Sequence, residues 1–269
     1  MSPSRLRLAP TGMTARLARG AQRRVEMLRR HGDVVLCPLC GARFDRFKDD
    51  WNRPNALCWR CGSHERHRAQ WMLFERRREL LGGARSLLHF APEWALRRRL
   101  ERLERLGELR YVTGDLDQPG VDLRLDITAL QLPDASFDAV LCSHVLEHVR
   151  ADALAMRELR RITAPGGWCL VMVPLDLQAE QTYEDPSITS PEDRTRAFWQ
   201  HDHVRLYAAD IGERLAAAGF DVERIRPVPE FGQPAVDRCR IGTSDEIWLC
   251  RRPSGVEPTS DPSAPLGRV

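Results

Sequence analysis

The sequence predicts an α/β fold, with a doubly wound and mostly parallel sheet that follows a small N-terminal module. Three observations support this prediction. Short apolar runs alternate with helical patterns from residue 86 onward, as in a parallel sheet covered by helices. Two closely spaced cysteine pairs precede that region. The 269 residues, 42% apolar and 29% charged, are enough for one large domain and a small module.

The small module is predicted from two Cys-x2-Cys pairs, formed by Cys37, Cys40, Cys58 and Cys61. Their spacing is typical of a zinc ribbon, in which two tight turns supply four thiolates to one tetrahedral ion. Gly41 and Gly62 follow the pairs and suit such turns. We therefore expect a structural zinc with a closed coordination shell, and we assign His64 and His67 to the following helix rather than to the metal.

The chain is expected to have four segments: a basic leader over 1–32, partly helical or disordered, the zinc ribbon over 33–68, the sheet domain over 69–252, and a disordered Pro- and Ser-rich tail over 253–269. The leader has no apolar core of the signal-peptide type, which leaves a transit peptide, a basic tail or a leading helix. No stretch is long and apolar enough for a membrane helix. We therefore expect a cytoplasmic protein.

A helix is predicted over 64–81, because apolar residues recur on one side until Gly82-Gly83. The apolar run 86–90 predicts a strand. Pro92 and Glu93 suit the first turn of a second helix, in which leucines recur at i, i+4 and i+7 until Gly107.

Three further strands are predicted over the short apolar runs 110–114, 121–125 and 137–143. The last of these is the most apolar, which predicts a central position in the sheet. A helix over 151–162 and a Pro-Gly-Gly turn at 165–167 then lead into a strand over 168–173.

Residues 174–203 lack any apolar period and predict a long loop, of the kind that often serves as a lid or a binding element. A helix is predicted over 204–218, since Gly219 ends its pattern. Two strands, over 221–225 and 246–250, complete the expected sheet.

Two acidic residues stand where such a sheet binds ligands, at the carboxyl ends of neighbouring strands. Asp115 follows the second strand and can accept hydrogen bonds from both hydroxyls of a ribose. Asp126 follows the third strand and can accept from an adenine amino group, with Ile127 as an apolar contact. The pair predicts a site for an adenosine-containing ligand.

The stretch Tyr111–Val173 resembles class I S-adenosylmethionine-dependent methyltransferases of the branch that acts on small molecules. Its most specific motifs are Leu132-Pro-Asp-Ala-Ser-Phe-Asp-Ala-Val140, Val145-Leu-Glu-His-Val149 and Glu158-Leu-Arg-Arg-Ile-Thr-Ala-Pro-Gly-Gly167. The resemblance implies a Rossmann-like fold and S-adenosylmethionine as the cofactor. By position, Asp115 and Leu116 would face the ribose, Asp126 and Ile127 the adenine, and Ser143 and His144 the methionine end.

One turn departs from the family, which normally has a glycine-rich sequence after the first strand. Here the turn contains His89, Phe90, Ala91, Pro92 and Glu93. This turn and the segment Cys58–Arg68 resemble a bacterial subgroup that combines a His-Phe-Ala-Pro-Glu turn with a cysteine ribbon, so that the likeness covers roughly residues 35–250. It implies that all five turn residues line the cofactor site; Glu93 either approaches the cofactor's amino group or only begins a helix.

Methyl transfer from a sulfonium is an in-line displacement that depends chiefly on positioning, and a hydroxyl acceptor also needs a base. We predict His148, Glu147 and His203 as catalytic residues; His148 could instead pack at a helix start. The segment Gln200–His203 resembles one that closes over substrate in related enzymes, and its two histidines could hold a metal only with a third ligand. Tyr183, Phe198 and Trp199 could wall a substrate pocket or anchor the loop.

Charge is unevenly distributed along the chain. Residues 1–110 carry 25 basic and 12 acidic groups, whereas residues 111–269 carry 16 and 26. The basic residues 1–110 could bind an anionic substrate or RNA, or they could pack against the acidic residues 111–269. Only one of the 41 basic residues is a lysine, Lys48, which leaves mechanisms that need a buried lysine almost without a candidate.

The sequence thus predicts a methyltransferase that acts on a small-molecule, sugar or lipid-linked acceptor and carries a structural zinc. Two alternatives stay open. One is an RNA methyltransferase whose ribbon and basic N-terminal half grip the phosphate backbone. The other is a non-catalytic binding protein with the same fold, suggested by the missing glycines.

Overall fold

The computed structural model describes residues 22–51 and 53–255. Residues 1–21 of the predicted leader and residues 256–269 of the predicted tail lie outside the described part. The chain divides into two compact units. Among the described residues, the cysteine unit comprises 22–51, 53–76, Glu93–Arg99 and Pro227–Asp245, and the sheet unit comprises Arg77–Pro92, Leu100–Arg226 and 246–255.

The described elements follow one another in this order. The N-terminal half contains α1 (22–29), β1 (His31–Leu36), β2 (Arg43–Phe44), β3 (Lys48–Asp50), β4 (Arg53–Leu57), α2 (Glu65–Arg76), α3 (Glu79–Gly82), β5 (Ser86–Phe90), α4 (Trp94–Arg105), β6 (Arg110–Asp115) and β7 (Leu123–Arg124). The C-terminal half contains β8 (Phe137–Ser143), a 3-10 helix (Leu146–His148), α5 (Asp152–Ile162), β9 (Thr163–Met172), α6 (Pro191–Phe198), α7 (Ile211–Ala217), β10 (Asp221–Ile225), α8 (Pro227–Phe231), α9 (Gln233–Cys239) and β11 (Ile247–Arg251).

The sheet unit contains a seven-stranded sheet in the order β10-β11-β9-β8-β5-β6-β7. Neighbouring strands from β9 to β7 are parallel, and β11 is antiparallel to both of its neighbours. The prediction of a mostly parallel, doubly wound sheet is therefore confirmed. The order of the strands reverses between β5 and β8, and ligands bind such sheets at this switch point.

The core of the sheet unit forms around β8, whose side chains are almost all buried. Four apolar residues of α5, at i, i+1, i+4 and i+7, pack into the same buried cluster: Ala155, Met156, Leu159 and Ile162. Trp248 and Tyr207 are fully buried members of that cluster. Burial on both faces explains why β8 reads as a continuous apolar run rather than an alternating one.

Several elements differ from the predicted bounds. The helix predicted over 64–81 is divided into α2 and α3, and within α3 the Leu80 carbonyl accepts a hydrogen bond from Trp168 Nε1 (3.1 Å). The strand predicted over 121–125 shortens to β7. There the Asp122 carboxylate accepts from both the backbone N–H and the hydroxyl of Thr113, at 2.8 and 2.6 Å, in place of a strand partner.

The helix predicted over 204–218 begins only at Ile211. Residues 204–210 instead form isolated bridges, Leu175 with Tyr207 and Tyr183 with Leu206, because Leu206 and Tyr207 are buried by pairing with the preceding loop. That loop contains α6. Its N-cap is Ser190, whose hydroxyl accepts a hydrogen bond from the Asp193 N–H (3.1 Å). An N-cap serine, a proline and two acids are a helix signal that the period-based reading missed. The short helices α8 and α9 were likewise not predicted.

The Pro-Gly-Gly turn lies inside β9, which begins at Thr163 and thus earlier than predicted. A Cβ on Gly167 would lie 2.5 Å from the Asp138 carbonyl oxygen and 2.9 Å from the Ala164 carbonyl oxygen. Backbone atoms cannot move aside as a flexible side chain can, so this position requires glycine.

We therefore expect Gly167→Ala to lower the free energy of unfolding by about 1–3 kcal/mol through overpacking. The measurement is urea denaturation followed by circular dichroism. Gly82→Ala is the matched control, because a Cβ there meets nothing within 4 Å, and we expect a change within about 0.5 kcal/mol. Equal midpoints for the two variants would contradict the packing argument.

Candidate functional site

A cavity of about 520 Å³ opens at the carboxyl ends of the central strands of the sheet unit. This volume lies in the range of small-molecule sites, roughly 300–1,000 Å³. Residues from five separate segments line it: Phe90, Ala91, Asp115, Leu116, Asp117, Leu125, Asp126, Ile127, His144, Val145, His148, Val149 and Asp202.

Asp115 ends β6 and organises the turn that follows it. Its Oδ1 accepts hydrogen bonds from the N–H groups of Asp117 (2.8 Å) and Gln118 (2.6 Å). Its Oδ2 accepts none from the described residues, so that one oxygen is free to face the cavity. The adjacent Leu116 side chain is half exposed beside it.

Asp126 repeats this arrangement after β7. Its Oδ1 accepts from the backbone N–H (2.9 Å) and the hydroxyl (2.7 Å) of Thr128, and these bonds lower the pKa of Asp126. The side chain is exposed at the cavity, and the neighbouring Ile127 is buried against the core cluster. Both carboxylates are thus held by local turns, each with one oxygen left over.

The glycine-free turn after β5 adopts a backbone conformation that normally favours glycine. Ala91 has φ +46°, in the left-handed region, and its N–H donates to the Gly114 carbonyl (2.9 Å). Apart from glycine, alanine has the smallest side chain, and Ala91 still lines the cavity. The turn therefore keeps the close backbone approach that a glycine-rich sequence would permit.

Four of the residues predicted to bind cofactor are not among the residues that line the cavity. His89 is buried, with Nδ1 2.9 Å from the Tyr111 hydroxyl, and Ser143 is buried at the end of β8. The Pro92 carbonyl accepts from Gln118 Nε2 at 3.3 Å. Glu93 belongs to the cysteine unit, where its Oε1 lies 3.3 Å from His67 Nε2.

The three residues predicted to be catalytic do converge. Glu147, His148 and His203 each offer one donor atom, and these atoms all lie within 4.8 Å of one another. The rings of His148 and His203 meet edge to face, with centroids 4.8 Å apart. Glu147 is only 1% exposed, and neither of its carboxylate oxygens has a hydrogen-bond partner among the described residues.

Contacts at Nδ1 orient both imidazoles. His203 Nδ1–H donates to the Phe198 carbonyl (2.8 Å), and burial lowers the pKa of His203. His148 Nδ1 lies 3.2 Å from Asp202 Oδ2. No sequence signal singled out Asp202, because only the folded loop brings it to His148.

One buried arginine joins the segments that carry these groups. Arg205 Nη1 donates to the carbonyls of Leu146 (3.1 Å) and Val149, and Nη2 donates to the Arg150 carbonyl (2.9 Å). The adjacent Val204 N–H donates to the Glu147 carbonyl (2.9 Å). We refer to these contacts as the Arg205 clamp. In a chain with so many arginines, the sequence could not distinguish this one.

The remaining loop residues divide between anchoring and exposure. Phe198 is fully buried, and its ring packs against Tyr183 with centroids 5.6 Å apart, whereas Trp199 is half exposed. His201 is 69% exposed, so the histidine pair of the Gln200–His203 segment does not converge on one point.

The four paired cysteines of the cysteine unit also converge. Their sulfur atoms lie within 4.8 Å of one another, with Cys37 Sγ 3.5 Å from Cys61 Sγ and Cys40 Sγ 3.6 Å from Cys58 Sγ. A tetrahedral zinc with Zn–S bonds of about 2.3 Å sets sulfurs roughly 3.8 Å apart. The arrangement therefore fits one zinc ion, and neither His64 nor His67 belongs to the cluster.

Two equivalent turns build the cysteine cluster. The Gly41 N–H donates to the Cys37 carbonyl (2.8 Å), and the Gly62 N–H donates to the Cys58 carbonyl (2.9 Å). Both glycines have φ near +70°, a value at which other residues are strained. The Ser63 hydroxyl lies 3.2 Å from Cys37 Sγ and 3.3 Å from Cys61 Sγ. The predicted role of glycine in these turns is thus seen in the backbone.

Comparison with known proteins agrees with this architecture. The family model described as a methyltransferase domain matches residues 98–171. The crystal structure of the [4+2]-cyclase SpnF superposes with a TM-score of 0.51 at 16% identity, over 87% of this chain and 93% of that one. The sheet unit has the class I methyltransferase fold. In this methyltransferase fold, the matched segment contains Asp115, Asp126 and His148, and so most of the polar side chains that line the cavity.

Two curated relatives match the chain in part. A Mycolicibacterium smegmatis protein described as a "probable S-adenosylmethionine-dependent methyltransferase" is 36% identical over 107 residues, 39% of this chain and 37% of its own length. An uncharacterized 37.1 kDa protein in transposon TN4556 of Streptomyces fradiae is 34% identical over 117 residues, 41% of this chain and 32% of its own. Each match therefore spans only about a third of the relative.

Among the described helices, none is both long and apolar enough to cross a membrane.

The Arg205 clamp predicts a stability effect that charge alone would not produce. In Arg205→Lys, one ammonium replaces a planar fork, and buried carbonyls of the turn lose their donors. We expect the free energy of unfolding to fall by about 2–4 kcal/mol, as measured in urea. Arg196→Lys is the control: it is an exposed arginine of α6, and its exchange should change stability by less than about 0.5 kcal/mol. Similar losses in both variants would rule out a special role for the clamp.

Proposed function

We propose that this protein transfers a methyl group from S-adenosylmethionine to a small-molecule, sugar or lipid-linked acceptor. The observation that carries the proposal is the pair of carboxylates, Asp115 and Asp126, at the tips of adjacent strands over one cavity. They belong to a domain that matches the methyltransferase model. The matching relative described as a methyltransferase supports the same reaction.

The residues around the cavity fit this cofactor chemically. The free oxygen of Asp115 would accept the ribose hydroxyls beside Leu116, and that of Asp126 would accept the adenine amino group beside Ile127. The backbone at Ala91 and the side chain of His144 would face the methionine end. When bound, the cofactor supplies an activated methyl group on a sulfonium.

The chain itself would contribute mainly positioning. The cavity walls hold the acceptor in line with the methyl carbon and sulfur, and this orientation alone can remove a large part of the barrier. His148 lines the cavity, with the buried Glu147 and His203 behind it. We propose that these three residues activate an acceptor hydroxyl by taking up its proton.

We further propose that the four cysteines hold a structural zinc ion. Four thiolates close its coordination shell, so that the ion has no open position for substrate. Its contribution would be to the folding of the cysteine unit, in which the ligands come from two separate turns.

Cofactor binding tests the central proposal. We expect Asp115→Asn and Asp126→Asn each to weaken binding of S-adenosylhomocysteine by roughly 10- to 100-fold, because each removes a charge-assisted hydrogen bond worth about 1.5–3 kcal/mol. Isothermal titration calorimetry measures the affinities.

Asp185→Asn is the matched control for Asp126→Asn. Asp185 Oδ1 accepts from the Ser187 N–H (2.8 Å) and hydroxyl (2.7 Å), the same local turn, but the residue does not line the cavity. We expect its affinity to equal that of the unaltered protein. No binding of the ligand at millimolar concentration, or equal affinity in all three variants, would refute the proposed cofactor site.

Metal analysis tests the zinc site. We expect Cys40→Ser to lower the zinc content by one ion per chain, measured by inductively coupled plasma mass spectrometry, and to lower the melting temperature as well. Cys250→Ala is the control, because this buried cysteine of β11 lies outside the cluster and its removal should leave zinc content unchanged. Unchanged zinc in Cys40→Ser would show that the cluster is not the site.

A further inference from the structure

The Glu147–His148–His203 group has a composition that neither cofactor binding nor packing requires. Two of its members follow β8 in the 3-10 helix, and the third follows α6 more than fifty residues later. Their donor atoms nevertheless lie within 4.8 Å of one another. Two imidazole nitrogens and a carboxylate oxygen form a donor set that zinc and other first-row divalent ions bind in enzymes.

Glu147 supplies the strongest single observation. A buried carboxylate without hydrogen bonds is among the least favourable groups in a folded protein. Glu147 is 1% exposed, and no described residue donates a hydrogen bond to either of its oxygens. Its nearest basic group is His144, with Nδ1 3.2 Å from Oε1. A bound cation would compensate the carboxylate charge directly.

Both imidazoles have, at Nδ1, the kind of contact that usually orients a metal-binding histidine. His203 Nδ1–H donates to the Phe198 carbonyl, and His148 Nδ1 faces the Asp202 carboxylate. A proton fixed on Nδ1 leaves the lone pair on Nε2, and partners of this kind orient most metal-binding histidines. The Arg205 clamp holds both segments in place before any ion arrives.

We propose that Glu147, His148 and His203 bind one divalent transition-metal ion, distinct from the zinc of the cysteine cluster. Three protein ligands leave coordination positions open on the ion. Because His148 lines the cavity, the site lies at the cavity wall. An oxygen atom of the acceptor suits such a position, because a cation lowers the pKa of a hydroxyl bound to it. This role, though not the binding of the ion, rests on the proposed function.

Manganese titration of the full-length, zinc-loaded protein tests the site. Mn²⁺ prefers nitrogen and oxygen donors to a thiolate cluster, and its free form is counted by electron paramagnetic resonance. We expect one Mn²⁺ bound per chain. Glu147→Gln has the shape of the original side chain and removes its buried charge, so it should fold, and we expect at least tenfold weaker binding. Asp202→Asn, which removes the carboxylate charge beside His148 Nδ1, should weaken binding about tenfold.

His201→Ala is the matched control, since this exposed histidine lies two residues from His203 and outside the group. Its manganese affinity should equal that of the unaltered protein. Absence of binding, or equal affinity in Glu147→Gln, would overturn the inference and leave the contact with His144 as the compensation for Glu147.

A separate titration with S-adenosylhomocysteine on the same samples distinguishes the two proposals. Cofactor binding without manganese binding would refute the metal site alone. Manganese binding without cofactor binding would refute the proposed function and leave the metal site standing.

Discussion

A single buried guanidinium determines the shape of the region that faces the cavity. The turn after β8 presents several carbonyl groups that have no partner in a strand or a full α-helix, and Arg205 donates to three of them. The next segment pairs with the same turn through the Val204 N–H. Because His203 directly precedes this pairing, the clamp places it beside Glu147 and His148. Without these bonds, the three groups would belong to two independent loops.

The turn after β5 lines the cavity without the glycines that such turns usually contain. Ala91 adopts the left-handed conformation itself, at a modest cost in strain, and its N–H is held by the Gly114 carbonyl on the neighbouring strand. Asp115 and Asp126 each commit one oxygen to a local turn. Rigid turns of this kind place the remaining oxygens before a ligand is bound, which reduces the ordering cost of binding.

The two candidate metal sites differ in ways that follow from their ligands. Four thiolates on two equivalent turns surround an ion completely, and the Ser63 hydroxyl lies against two of the sulfurs. The glutamate and two histidines of the sheet unit leave part of a coordination sphere open at the cavity wall. The first arrangement suits a structural role and the second suits chemistry on a bound oxygen.

The sequence alone determined the sheet, most of its strands, the cysteine cluster and the positions of Asp115 and Asp126, because these features depend on local period, spacing and place after a strand. It also indicated Glu147, His148 and His203, but only as isolated candidates. The break between α2 and α3, the extended course of residues 204–210 and the roles of Arg205 and Asp202 were decided by the tertiary structure. The course of residues 204–210 and the role of Arg205 depend on partners distant in sequence, such as Tyr183 for Leu206 or the turn after β8 for Arg205. Such contacts leave no local sequence pattern.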